Sequence, residues 1–588
     1  MITESIENKT QRFLKSWVFL ACIILFVVFV RVRLSEFPLE RDEGEYAYMG
    51  QLILQGIPPY LTAYNMKFPG TYVMYALIMS VFGQSIQGIH MGFMIVNCVT
   101  ILLVFLLARK FVSEAAALVT GAAYALLSLS SSVLGFAGHA THFVVLPALG
   151  GVLALLFALR NNKLNAYCWS GFLFGLAFLM KQPGLFFFLF GATYILYHHF
   201  FPAKDLMDET PRVSFPLVGN PSDLSGIAKK DCGQAAMTAN DRIRISSKTP
   251  HSLKTLFLKL CMFTVGGVAP LFISVIYLYS VGAFDKFWFW TFEYASKYGS
   301  QIPVSEAFNI FKSNVSDVAD GFLFLWIMSL LGLVVMFFYQ GMKGKRLFIA
   351  LFTLFSFLTI CPGFYFRSHY FVTLLPAISI SIGIFIEWIN SRSAALLKTE
   401  YARFIGLVIF ILAAGAGMVS QKEYLFEGDP VKLSRSVYGV NPFPESIEIA
   451  KFIESRSAMT DRIAVLGSEP QIYFYSKRHS ATGHIYVYGL MEIHDYSLTM
   501  QKEMISEIVS SNPKFIVVVP IATSWLIRPE SEKYILRWLD DYVRNNYTLV
   551  GVADIISTEK TVYKWHSDVQ GYAIRSPYHV LIFEKNRK

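Results

Sequence analysis

Charge is scarce in this sequence: of its 588 residues 16% are Asp, Glu, Lys or Arg, against 54% that are hydrophobic. A soluble chain of this length does not carry that balance. Cysteine is scarce too, and Cys22, Cys98, Cys168, Cys232, Cys261 and Cys361 include no CxxC pair, so neither a disulfide framework nor a cysteine zinc site is supported. Internal repeats of the kind common in secondary transporters are not evident. A phosphate loop is also missing, because Gly467-Ser468-Glu469-Pro470 follows a strand-like run without the required Lys and glycine spacing and reads as a turn. The formal charge of +10 comes from Lys and Arg scattered through short loops, where they report orientation and give no nucleic-acid face.

What the chain has instead is long apolar runs, many near the roughly 20 residues that cross a hydrocarbon core of about 30 Å. Such runs must be helical, since lipid satisfies no backbone polar group. Spans are expected near 13–31, 87–108, 114–133, 141–159, 165–180, 183–200, 255–281, 319–340, 346–362, 369–389 and 403–420, about eleven in all. The first follows Lys9, Arg12 and Lys15 but precedes no small-residue cleavage pattern, so it reads as an uncleaved span.

With the start of the chain cytoplasmic, Arg109 and Lys110, Arg160 and Lys163, Lys343, Lys345 and Arg346, and Arg392, Lys398 and Arg403 all fall inside. A break is expected at Lys181-Gln182-Pro183-Gly184, because merging the two spans there would push Lys343, Lys345 and Arg346 outside. Residues 71–82 are apolar but reach only about 18 Å as a helix, and are expected to be interfacial or re-entrant.

The expected organisation is therefore a polytopic α-helical membrane protein: a membrane part over 1–420, interrupted by a polar cytoplasmic insertion at 201–254, then a soluble α/β domain over 421–588. In that last part strand-like runs at 462–467, 514–520, 549–553 and 579–583 alternate with helical patterns such as 445–454 and 534–545. The span count puts it on the non-cytoplasmic side of a plasma or inner membrane.

Directly after the first span stands Arg41-Asp42-Glu43-Gly44-Glu45-Tyr46, with Tyr46, Met49, Ile53 and Leu54 at helical spacing, which predicts an amphipathic helix lying on the membrane. Asp42 with Glu45 three residues on is also a helix-capping pattern, which alone would account for both carboxylates. The predicted topology puts several cations on the same side: Lys67 in Asn65-Met66-Lys67-Phe68-Pro69-Gly70, Lys181, and Arg367 with His369 in Tyr365-Phe366-Arg367-Ser368-His369. Each has a plain alternative as a side chain snorkelling to headgroups. Together, a carboxylate to take an acceptor proton and fixed positive charge for a departing phosphate are what transfer from a lipid phosphate needs.

His139 and His142, three residues apart, are candidates for a metal or for sugar hydroxyls, and no third ligand is identifiable. A divalent cation is therefore left open as a cofactor. Tyr46, Glu293 and Tyr365 complete the candidate sugar or acceptor contacts, although the aromatic run Trp288 to Tyr294 also suits an interfacial belt.

The membrane part resembles the GT-C glycosyltransferases of the protein O-mannosyltransferase and aminoarabinose-transferase type. The resemblance rests on Asp42-Glu43 after the first span, Lys67-Phe68-Pro69, Gly175-Leu176-Ala177-Phe178-Leu179-Met180-Lys181, and Arg367-Ser368-His369-Tyr370-Phe371 running into Leu374-Leu375-Pro376. It implies a polyprenyl-phosphate-linked sugar as donor, a glycan, lipid or protein as acceptor, and a single inverting displacement. It also implies Asp42 as catalytic base with Glu43 beside it, and Lys67, Lys181, Arg367 and His369 on the donor phosphate. Many relatives have Lys-Pro-Pro where this chain has Lys67-Phe68-Pro69-Gly70. The alternatives are a transporter or flippase of an amphiphile, and a ligase or polymerase acting on a diphosphate-linked glycan.

Overall fold

A computed structural model describes residues 2–201 and 252–586 of the chain, so most of the predicted insertion at 201–254 lies outside the described residues. Eight helices precede that gap: α1 (Ile2–Arg33), α2 (Arg41–Leu54), α3 (Pro69–Phe82), α4 (Ile86–Ala108), α5 (Glu114–Leu129), α6 (Ala140–Asn161), α7 (Leu164–Met180) and α8 (Leu185–Phe200). After it come Leu253–Ser280, Val304–Asp320, Leu323–Phe338, Arg346–Leu358, Leu375–Leu397 and Ile405–Ser420. Every predicted span has a helix on it.

Among the described residues, four helices are long and apolar enough to cross a membrane alone, and a fifth if one bent pair forms a single span. Their outward faces fit lipid: Phe257, Val265, Phe272 and Ile276 on one helix, and Phe324, Leu330, Val334 and Phe338 on another, are exposed. Water would not tolerate so continuous an apolar surface. The chain is an integral membrane protein.

Three expected boundaries shift. Val304–Asp320 meets Leu323–Phe338 at 116°, so the span predicted from 319 starts at a corner preceded by an amphipathic helix that the apolar-run criterion passes over. The span predicted from 369 starts as a 3-10 turn over Ser368–Thr373 and becomes α-helical at Leu375, with Pro376 in its first turn, where a missing N–H costs nothing. The expected break before α8 is present: Lys181 is extended (φ −157°, ψ 138°) and ends α7.

The helix α2 departs from its expected setting. It does not lie on a membrane surface, because Arg41 and Glu43 to Leu52 are all buried, between α3 on one side and the helix Gln471–Ser476 of the C-terminal region on the other. The approach is close enough that a Cβ on Gly44 would fall 2.7 Å from Gln471 Cβ.

The C-terminal region forms a six-stranded mixed sheet in the order β2-β1-β3-β6-β4-β5. The strands are β1 (Arg462–Leu466), β2 (His479–Ser480), β3 (Phe515–Val518), β4 (Tyr547–Ile555), β5 (Thr561–Trp565) and β6 (His579–Lys585). The parallel pair β1 and β3 runs in register from Ile463 opposite Phe515 to Leu466 opposite Val518, and β6 closes antiparallel against both β3 and β4. All four predicted strands are present. The two missed strands are the two-residue β2 and β5, an edge strand with no fully buried position, and neither produces an apolar run.

Candidate active site

Glu40, not Asp42, caps α2: its side chain accepts the Glu43 backbone N–H at 2.9 Å. The alternative reading of Asp42 and Glu45 as a capping pair therefore fails, because the helix begins at Arg41 and both carboxylates project from its body. They meet on one cation. Lys67 Nζ lies 2.8 Å from Asp42 Oδ1 and 2.8 Å from Glu45 Oε2, and 4.6 Å from the centre of the Tyr46 ring.

Lys67 reaches this position from the loop before α3, where its carbonyl accepts the Tyr60 hydroxyl at 2.5 Å. The same loop docks on the α7–α8 break. Gln182 Nε2 donates to the Met66 carbonyl at 2.7 Å and Thr71 Oγ1 to the Met180 carbonyl at 2.9 Å. A Cβ on Gly70 would fall 2.5 Å from the Leu179 oxygen, so only glycine fits at this approach. This close approach brings Lys181 beside Lys67. The Lys181 ammonium sits 3.9 Å from the centre of the Tyr370 ring, a cation–π contact that leaves its N–H groups available.

Arg367 completes the cationic side. It follows two non-glycine residues in the left-handed region, Phe364 (φ 55°) and Phe366 (φ 44°). Such strain costs on the order of 1–3 kcal/mol per residue and gathers at functional sites. Its guanidinium lies over the Tyr365 ring at 5.2 Å, and Tyr365 stacks on Tyr298 at 4.7 Å.

Electrostatics ties these groups into one site. Burial alone would raise the Asp42 carboxyl, but Lys67, His369 and His139 overcome it and hold the group well below the usual carboxylate range. Burial opposes charge on Lys67 as well, and Asp42 with Glu45 more than restores it. Lys181 has no such partner. Burial, against the pull of Asp42 and with Lys67 and Arg367 repelling, brings it down to about 7.

The remaining predicted residues divide. Glu43 is fully buried but turned away from Lys67, taking the Gly138 N–H at 2.6 Å and lying 3.3 Å from His90 Nε2, so it ties α2 to the loop that carries His139. His139 and His369 stack at 4.2 Å with their planes 14° apart. His142 packs instead against Phe93 at 4.7 Å inside the helix bundle. Glu293 is exposed, and its neighbour Tyr294 is the residue that turns inward, donating to Glu492 Oε2 at 2.8 Å.

Asp42, His139 and His369 bring three donor atoms within 4.8 Å of one another, a set whose chemistry suits a divalent cation. The two imidazoles stack face to face, Asp42 Oδ1 is engaged by Lys67, and Asp42 Oδ2 faces His139 Nδ1 at 3.9 Å.

The geometry also reveals residues the sequence pattern does not single out. Glu45 accepts from Lys67, from Asn65 Nδ2 at 2.7 Å and from Tyr72 OH at 2.6 Å. Tyr486 comes from the C-terminal region to within 5.7 Å of Lys67. The predicted turn at 467–470 grips α2: Arg41 donates to the Ser468 carbonyl at 2.6 Å and to Glu469 Oε1 at 3.0 Å.

Residues 67–207 match the family model described as dolichyl-phosphate-mannose-protein mannosyltransferase. ArnT from Cupriavidus metallidurans, solved bound to undecaprenyl phosphate, shares the fold with a TM-score of 0.50 at 14% identity, over 96% of this chain and 97% of that one. The chain thus shares its fold with that protein, and its residues 67–207 are similar to that family. The oligosaccharyltransferase of Archaeoglobus fulgidus also aligns, with a TM-score of 0.49 and 12% identity over 94% of this chain and 74% of that one. No curated protein matches the sequence significantly. The family match takes in Lys67, His139 and Lys181, whereas Asp42, Glu45 and Arg367 lie outside the matched residues and join the site through the fold.

Proposed function

We propose that this transferase moves a sugar from a polyprenyl-phosphate donor to an acceptor hydroxyl on the non-cytoplasmic side of the membrane, in one inverting displacement. The observation that carries the reading is the meeting of one accessible carboxylate, Asp42, with three cations, Lys67, Lys181 and Arg367, at the ends of apolar helices. The charge bias of the loops, with about eleven spans, supports the sidedness. It assigns residues 1–420 to the membrane part and 421–588 to a soluble part on the same side as the site.

Asp42 accepts the proton of the attacking hydroxyl. The new bond forms at the anomeric carbon as its bond to the phosphate oxygen breaks, and the electron pair leaves with the polyprenyl phosphate. Lys67, Lys181 and Arg367 stabilise the phosphate charge in a buried setting, where fixed cations need no reorganisation. His139 and His369 form the wall beside the base, and the Tyr46 and Tyr365 rings carry the cations Lys67 and Arg367. A polar cleft of about 970 Å³, lined by Lys297, Gln301, Glu492, His494 and Arg528, opens between the membrane part and the C-terminal region and suits a hydrophilic acceptor. Glu492 at its floor lies within electrostatic reach of Arg367.

The test is to supply purified full-length protein with polyprenyl monophosphate linked to different sugars and to follow release of the lipid phosphate with and without candidate acceptors. Acceptor-dependent release is expected. Transport of an amphiphile across proteoliposomes with no covalent product would overturn the reading.

A further inference from the structure

The two carboxylates that share Lys67 are built differently. Glu45 is fully buried, and both its oxygens are engaged, one by Tyr72 and the other by Asn65 and Lys67. Asp42 retains 15% exposure, and among the described residues its only hydrogen bond runs from Lys67 to Oδ1. Its Oδ2 lies 3.9 Å from His139 Nδ1, beyond hydrogen-bond reach. Lys67 is thus clamped on one side and loosely attached on the other.

Lys67 is shared by two carboxylates while Lys181 and Arg367 bond none, so with Lys181 protonated the five groups carry one positive charge too many, which a low-dielectric site tolerates poorly. In this state Asp42 is also a poor base, because the ammonium on Oδ1 lowers the basicity of the whole carboxylate. With a donor seated the site is balanced, and the base is freed, if a phosphate oxygen replaces Asp42 on Lys67 while Glu45 stays.

We propose that Glu45 is a positioning residue, the permanent counter-ion of Lys67, and that Lys67 exchanges Asp42 for the donor phosphate, so that donor binding releases the base. The inference rests on the reading of Asp42 as base and Lys67 as phosphate ligand. It supplies an order of events: Asp42 is masked until a donor is seated, so an acceptor hydroxyl bound alone is not activated. No bond is made or broken in the exchange. Lys67 keeps its proton, gives up one carboxylate oxygen and takes a phosphate oxygen in its place.

The experiment uses the full-length protein and a short-chain prenyl monophosphate as binding probe, alongside steady-state transfer. Asp42→Asn removes the competitor for Lys67 and is expected to tighten probe binding by about tenfold. Unchanged or weaker binding in this variant overturns the exchange, and this readout does not depend on any transfer activity. Glu45→Gln is expected to leave probe affinity within about threefold while kcat falls at least about thirtyfold, because Lys67, without its counter-ion, then bridges the phosphate and Asp42 and keeps the base engaged. A parallel loss of affinity and kcat would show Glu45 to be a packing residue only, and would overturn its assigned role. Glu45→Asp, which keeps the charge on a shorter arm, is expected to recover part of kcat; no recovery would overturn the role as well. Persistence of transfer in Asp42→Asn would instead sink the assignment of the base, a separate failure from either of these.

Discussion

Two charge clusters that share the first turn of α2 differ in a way that separates structure from chemistry. At the first residue, Arg41 meets Glu469 and the Ser468 carbonyl of the C-terminal region, while the Glu469 carboxylate also takes the Ser524 hydroxyl at 2.6 Å. Every partner there is supplied by the protein. In the neighbouring cluster Asp42 and Glu45 share a single Lys67, while Lys181 and Arg367 face aromatic rings and no carboxylate. Balanced buried charge holds the two parts of the chain together, and the unbalanced cluster waits for an anionic ligand.

The comparison breaks most sharply at Asp42. Its amide variant keeps the shape of the side chain and removes the group that takes the proton, so Asp42→Asn is expected to lower kcat by about a thousandfold, within the usual range for general-base catalysis. Thermal stability should change little, since one acid of an over-supplied pair is lost. Turnover of the purified variant above a tenth of the parent would refute the base. The opposite pattern is expected for Arg41→Ala: breaking a fully partnered buried ion pair costs about 3–5 kcal/mol. A lower thermal midpoint, with early exposure of the C-terminal region to protease, is the measurement. Equal midpoints for parent and variant would show that the pair does not hold the two parts together.

Arg367 tests the cationic side at smaller cost. A guanidinium can meet a phosphate with two parallel hydrogen bonds, whereas an ammonium meets it as a point charge. Arg367→Lys is accordingly expected to raise the donor KM by about tenfold with kcat changed less. A fall in kcat at constant KM would place Arg367 on the acceptor side of the reaction.

Much of this contrast is legible in the amino-acid sequence. The apolar runs locate every predicted span, because a lipid-facing helix leaves a run of residues that nothing else in a sequence imitates. Asp42, Lys67, Lys181 and Arg367 stand out as charges at run ends. Glu45 does not: its role depends on Asn65, Tyr72 and Lys67 folding back over α2, and locally it looks like half of a capping pair. The C-terminal cover on α2 is equally invisible, since Tyr46, Met49, Ile53 and Leu54 would pattern the same way against lipid as against protein. His142 misleads for a related reason. Helical spacing puts it near His139 in the chain, but only the neighbouring helix decides that its ring goes to Phe93. Periodicity reports which residues seek burial and is silent about the partner.

The smallest expected effect sharpens the comparison furthest, because it concerns a cation that no carboxylate balances. Lys181 is held down to about 7 chiefly by burial, so near neutral pH a sizeable fraction of the free enzyme carries it uncharged. A sugar-linked lipid phosphodiester keeps its single negative charge across this range and binds the protonated form. Below pH 7 the proton is already present and donor affinity should be level. Above it, each binding event must first return a proton to Lys181, so affinity falls with rising pH, approaching tenfold per unit for one linked proton. Between pH 6 and 8 the donor KM is expected to rise by about tenfold. Lys181→Arg, whose guanidinium stays charged throughout, should flatten the profile even if it binds somewhat less well. A parent KM that is level from pH 6 to 8 would mean that Lys181 is charged without a ligand, and the distinction between a balanced and a waiting cluster would then rest on Arg367 alone.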